Sequence, residues 1–170
     1  AVTVPASGLH FGRELMKRME IKGIDFAFIT MHARLGNFRE IDVEDLTKHK
    51  VDSEQMIVNA EACRIVNNAR DNGRNICAVG TTVMRAIETA VSTDGHLKEY
   101  NGWTNKFIFP PYDFKVANSM VSNFNMPMST LLMLVCSYGG YELIMDAYNV
   151  ALKDGYRFGT YGDAMLILDK

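Results

Sequence analysis

Residues 75–88, NICAVGTTVMRAIE, place a glycine, two threonines and an arginine close together. The apolar run before Gly80 has the character of a strand, and the residues after it have helical spacing. A joint of this kind offers backbone amides at the positive end of a helix, where anions bind. Gly80 lets the chain turn sharply or lets a ligand approach the backbone. Thr81 and Thr82 add hydroxyls. Arg85 lies one turn further on the same side, so the group can clamp a carboxylate or a phosphate. The plainer reading is a threonine cap on an ordinary helix, with Arg85 solvated and paired to Glu88. The residues alone leave both open. Neither a Walker loop nor a G-x-G-x-x-G stretch is present.

Five further residues, His10, His32, Ser129, Thr130 and Asp163, carry possible chemistry. His10 falls in the first turn of an amphipathic helix expected from Ser7 to about Lys22. There the helix dipole favours the neutral imidazole, a proton-accepting form. His32 ends the strand-like run FAFIT and faces a possible cleft. Either histidine is equally readable as a structural residue satisfied by hydrogen bonds. His49 and His96, flanked by charges and turns, read as surface residues. Ser129 and Thr130 open a very apolar helix behind the polar stretch containing Ser122, Asn123 and Asn125. That is either a second anion-receptive helix start or a cap on a core helix. Asp163 enters a buried strand and needs a partner, Arg157 or a backbone amide. Its role is a structural ion pair or a functional carboxylate.

Alternating strands and helices must position these groups. Strands are expected at IDFAFITMH, EQMIV, NICAVG, NKFIF, VANSMVSNF and YGDAMLIL. Helices are expected after Ser7, after Asn59, over TTVMRAIETAVS, over STLLMLVCSY and over YELIMDAYNVALKDG. The fourth of these is apolar nearly all round and reads as the central helix. The order predicts a single α/β domain over residues 1–170. Its architecture is a three-layer α/β/α sandwich with a mixed, mostly parallel sheet.

Composition narrows the partners. The chain has 170 residues, 48% hydrophobic and 22% charged, with a net charge of −2. A full core is available, and binding nucleic acid through charge alone is disfavoured. Cys63, Cys77 and Cys136 are widely separated, which suits buried thiols in a reducing cytoplasm and no metal site. The longest apolar stretch, TLLMLVC, is far short of the ~20 residues needed to cross a bilayer. The chain begins AVTVPASG, without a methionine.

Five segments together resemble the S-adenosylmethionine:tRNA ribosyltransferase-isomerase family of queuosine biosynthesis. They are VPASGLHF, FITMHARLGNF, AVGTTVMRAIE, FIFPPYDFKVANSMVSNFNMPMSTLLMLV and YRFGTYGDAMLI. They occur in the family's order and cover essentially the whole chain. The resemblance implies roughly the C-terminal half of the family's chain, the C-terminal part of its main domain, without its small β-barrel domain. Asn125 stands where the family usually has His, Arg34 where it has Gly, and Pro111 where it has Gly.

The reaction so implied moves the ribosyl part of S-adenosylmethionine onto the aminomethyl group of a 7-deazaguanine base in tRNA. Adenine and methionine are released. The reaction needs proton transfers and positioning but no metal. His10 and His32 are the expected proton-transfer groups. Gly80, Thr81, Thr82 and Arg85 are expected to hold the methionine carboxylate or a phosphate. Ser129 and Thr130 are second-choice contacts, and Asp163 is expected at ribose hydroxyls or an amine. The expected partners are tRNA, S-adenosylmethionine and the missing N-terminal half. The isolated chain is expected to turn over poorly. The alternative is a non-catalytic ligand- or RNA-binding remnant of the fold.

Overall fold

The computed structural model describes residues 5–33 and 41–168, so Arg34 lies outside the described residues. The first sheet is built on β2 (Glu54–Val58), whose alternation turns Glu54, Met56 and Val58 inward. Strand β1 (Thr30–Met31) pairs antiparallel on one side, with Thr30 opposite Ile57. Strand β4 (Tyr100–Thr104) pairs antiparallel on the other, with Glu54 opposite Thr104. The second sheet centres on β5 (Ser119–Asn123), between β3 (Cys77–Val79) and β6 (Ala164–Leu168). β3 runs parallel to β5 and β6 antiparallel to it.

The helices are α1 (Arg13–Ile21), α2 (Ala60–Asp71), α3 (Thr81–Ala90), α4 (Thr130–Gly139) and α5 (Tyr141–Lys153). α2 begins where Asn59 accepts a hydrogen bond from the Ala62 amide at 2.8 Å. α4 begins where Ser129 accepts one from the Leu132 amide at 3.1 Å. Each side chain satisfies a donor that the first helical turn leaves unpaired. α3 crosses over between the parallel strands β3 and β5 and packs against β1, β2, β3, β4 and α4. Its buried residues include Met84, Ala86, Ile87 and Ala90 as well as Arg85 and Glu88. It is therefore the central helix, a place expected for α4, which lies against α3 and α5. The core around it contains the fully buried Met56, Met84, Ile108, Met120 and Ile144. Each such side chain contributes roughly 1.5–3 kcal/mol of burial free energy.

The α/β class and the mixed sheet are as expected, but the strands form two three-stranded sheets. The parallel pairing among them is β3 with β5. The run FAFIT forms a strand only at its last residue. Thr30 and Met31 find β2, whereas residues 24–29 are not in a strand, and Phe28 is 66% exposed. Strand propensity without a paired neighbour does not make a strand. NKFIF is irregular as well, the pairing falling to β4 upstream. β6 is an edge strand with Leu166 and Leu168 exposed, and Cys77 is an exposed thiol, unlike the buried Cys63 and Cys136.

The expected first helix is broken. Ser7–His10 is a 3₁₀ turn, and α1 starts after Gly12. Ser7 does not cap it, because its hydroxyl accepts a hydrogen bond from the Asn123 amide at 3.3 Å. His10 consequently ends a short turn, and the dipole argument for its neutral form does not apply. No residue of α1 is buried.

Candidate ligand site at the β3–α3 joint

A cavity of about 700 Å³ opens where β3 and β5 end and α3 begins. This lies within the about 300–1,000 Å³ typical of small-molecule sites. Ligand sites in α/β sheets characteristically lie beyond the carboxyl ends of parallel strands. The walls come from residues 5–8, 29–31, 79–83 and 125–129, with Ala33, Ser122, Asn123, Leu131, Gly159 and Thr160. One part of the lining is apolar, with Met31, Val83, Met126 and Leu131. Another is polar, with Thr81, Thr82, Ser122 and Asn123.

Gly80, Thr81 and Thr82 line this cavity as a unit. Gly80 has φ 104 and ψ 148, a conformation that side-chain-bearing residues avoid. Its amide donates to the Val121 carbonyl at 2.8 Å, which ties the joint to β5. α3 carries no side-chain cap, so neither threonine plays the capping part. The positive end of the helix faces the cavity, where an anion is favoured.

Arg85 is placed differently from the expectation. Its guanidinium is buried and bonded to the Glu54 carboxylate, on a second cavity of about 10 Å³ that also touches Thr81, Thr82 and Thr130. Burial pulls its pKa down to about 10. The guanidinium remains protonated at neutral pH. Nor does Arg85 pair with Glu88, whose carboxylate accepts from the Lys115 and Val116 amides and from Tyr112.

His10 and His32 flank the cavity without lining it. His10 Nε2 lies 3.2 Å from Asn123 Oδ1. The His32 amide donates to the Gln55 carbonyl at 2.8 Å, and its neighbours Met31 and Ala33 line the wall. Asn125 lines the cavity, with its Nδ2 donating to Ser122 Oγ at 3.0 Å and its amide donating to the Tyr148 hydroxyl at 2.8 Å. Ser129 also lines it, but its hydroxyl is engaged by the Leu132 amide and donates to the Met126 carbonyl. Thr130 is buried against the second cavity. Asp163 precedes β6 and accepts from the Arg157 amide at 2.7 Å and its Nη2 at 3.4 Å. The Arg157 amide, and then its side chain, hold the Asp163 carboxyl below the usual range. Asp163 thus braces the turn over residues 157–163, which supplies Gly159 and Thr160 to the wall.

Sequence reasoning passed over Glu54 and named Asn123 only within the polar stretch ahead of Ser129, not for its contacts with His10 and residues 159–162. A carboxylate at an inward position of an alternating strand needs a buried partner, and that signal was available for Glu54. Asn123 carried none, because its contacts join segments far apart in the chain. Among the described residues no three His, Cys, Asp or Glu side chains gather to hold a metal, and no helix is long and apolar enough to cross a membrane.

Fold and cavity together define an α/β domain with a cavity at an uncapped helix start. Residues 1–167 match the model of the queuosine biosynthesis protein family, and the chain belongs to that family. An S-adenosylmethionine:tRNA ribosyltransferase-isomerase of Phocaeicola vulgatus is 82% identical over all of this chain and 48% of its own length. One of Clostridioides difficile is 47% identical, over 98% of this chain and 49% of its own. The crystal structure of a Thermotoga maritima S-adenosylmethionine tRNA ribosyltransferase superposes with a TM-score of 0.79 at 39% identity. That match covers 95% of this chain and 51% of the other. The chain spans about half the length of the curated relatives it matches.

Proposed function

We propose that this chain supplies the ligand-holding part of an enzyme that transfers and isomerises the ribosyl group of S-adenosylmethionine. The acceptor is the aminomethyl-deazaguanine base of a tRNA, and adenine and methionine leave. The observation that carries this reading is the uncapped start of α3, with Gly80, Thr81 and Thr82 on a cavity of about 700 Å³. The amides and hydroxyls there suit the methionine carboxylate. The apolar wall of Met31, Val83, Met126 and Leu131 suits the adenine ring and methylene groups of that sulfonium nucleoside. Arg85 acts from beneath, by fixing α3 to β2 through Glu54. His10 and His32, at the rim, are the groups for proton transfer.

Calorimetric titration of the chain with S-adenosylmethionine tests the reading, with Thr82→Ala as the variant. Binding that weakens in the variant supports it. Absence of binding by the parent counts against it.

A ligand-holding domain without its own turnover is the second reading. Asn125 favours it: a carboxamide held by Ser122 lines the cavity where the resembling family usually has histidine, and it is neither acid nor base near neutral pH. Adenine release from S-adenosylmethionine in the presence of the modified tRNA separates the two.

A further inference from the structure

Asn123 makes contacts that define the state of the ring beside it. It ends β5, is 4% exposed and sits on the cavity wall. Its Nδ2 faces the carbonyls of Gly159 at 3.1 Å, Thr160 at 3.3 Å and Gly162 at 3.4 Å. A carboxamide turned the other way would set its oxygen against those carbonyls, so the amide orientation follows from the network. Oδ1 is then the atom that meets His10 Nε2 at 3.2 Å. An acceptor at that position requires Nε2 to carry the hydrogen. In the neutral ring the lone pair is then on Nδ1.

We propose that Asn123 is a positioning residue that fixes His10 as its Nε2–H tautomer, so that Nδ1 is the proton-accepting nitrogen of the neutral ring. Any use of that nitrogen on a substrate rests on the function proposed above; the tautomer does not. The brace extends to the chain segments around it. The Asn123 amide donates to Ser7 Oγ at the start of the turn that carries His10, and Asp163 holds the turn whose carbonyls grip Nδ2. The parallel with metal-bound histidines is close: there too the partner of one ring nitrogen sets what the other can do.

Long-range proton–nitrogen NMR of the ¹⁵N-histidine-labelled chain, above the histidine titration range, reads the tautomer directly. His10→Gln assigns the signal by its loss. The expected parent spectrum shows one Nε2–H tautomer with an unprotonated Nδ1. Asn123→Ala removes the acceptor, and the His10 nitrogens should move toward the solution mixture of tautomers. Asn123→Asp keeps an acceptor for Nε2–H while disturbing the three carbonyl contacts, and should keep the single tautomer. A merely structural role would make both variants behave alike. An Nδ1–H tautomer in the parent, or His10 nitrogen shifts unchanged by Asn123→Ala, overturns the proposal. S-adenosylmethionine added to a uniformly ¹⁵N-labelled parent sample reports on the Gly80, Thr81 and Thr82 amides. Their failure to shift would count against the proposed function and leave the tautomer result standing.

Discussion

Arg85 on α3 and Glu54 on β2 form an ion pair with side chains only 8% and 1% exposed. It pins the central helix to the middle strand of the first sheet, one turn below the Gly80–Thr82 part of the cavity. Neither charge would be tolerated in the core alone, since an isolated buried ion loses its hydration without return. The pair therefore couples the position of the anion-receptive helix start to a sheet that does not carry it.

Removing one partner should be much worse than removing both. Glu54→Gln or Arg85→Met is expected to cost about 3–5 kcal/mol, because an uncompensated buried group remains. The double replacement Glu54→Leu with Arg85→Met is expected to recover most of that loss. Urea unfolding of the three variants and the parent checks this. Equal and additive losses in the two single variants would show that the pair is not coupled.

Gly80 should tolerate no side chain, for backbone reasons. A Cβ there would meet nothing closer than 3.7 Å, so space is not the obstacle. The φ of 104 is, and forcing a non-glycine residue into that region costs on the order of 1–3 kcal/mol. Gly80→Ala should therefore lower stability by about that amount, or shift the joint and weaken S-adenosylmethionine binding. Gly12→Ala is the control. Its φ is −66 and no atom lies within 4 Å of the added carbon, so a change within about 1 kcal/mol is expected. Equal effects at both positions would rule out the conformational account.

The parts legible in the sequence were those decided locally. Asn59 and Ser129 cap the helices they precede, EQMIV alternates as a half-buried strand should, and Gly80 marks the joint. The parts that failed depend on distant partners. FAFIT has every local mark of a buried strand, yet only Thr30 of that run finds β2 beside it. Ser7 resembles a cap and instead serves Asn123, 116 residues away. Arg85 resembles a free clamp because Glu54, its partner, lies 31 residues upstream. The same limit hid Asn123, whose carboxamide joins His10 to the turn over residues 157–163.

His96 should titrate above the ordinary histidine value of about 6.5. The hydrogen bond from its Nε2 to Asp71 at 2.7 Å is the largest cause, and Asp94 at 3.1 Å from Nδ1 adds to it. Asp94 is in turn held down, to about 2, first by the Ser92 hydroxyl. A histidine pKa raised by folding stabilises the folded state fully below the unfolded value. That contribution disappears as pH rises through the folded one. The groups are open to solvent, so the stability effect should be small and weaken with salt. NMR titration of the His96 ring should show its midpoint falling toward the ordinary value in Asp71→Asn. An unchanged midpoint would remove Asp71 as the cause.

Binding and turnover should separate in this chain. The groups that suit an anion are local to the start of α3 and need only β3, β5 and the Arg85–Glu54 pair behind them. Proton transfer and tRNA placement depend on more. α1 has no buried residue, Ile21 at its end is 77% exposed, and Phe28, next in the chain to the cavity-wall residue Ile29, is 66% exposed. Asn125 has no ionisable group and serves as neither acid nor base near neutral pH. One missing proton-transfer group costs about 10²–10⁴ in rate, and loose positioning adds to it. The chain is expected to bind S-adenosylmethionine while releasing adenine at least about 10² more slowly than a full-length relative. Asn125→His alone should not restore the rate, because positioning would still be lacking. Supplying the upstream half of a relative should raise it. Adenine release measured with tRNA carrying the aminomethyl-deazaguanine base decides the matter. Turnover by the unaided chain at a full-length relative's rate would show that this half already holds the complete catalytic apparatus.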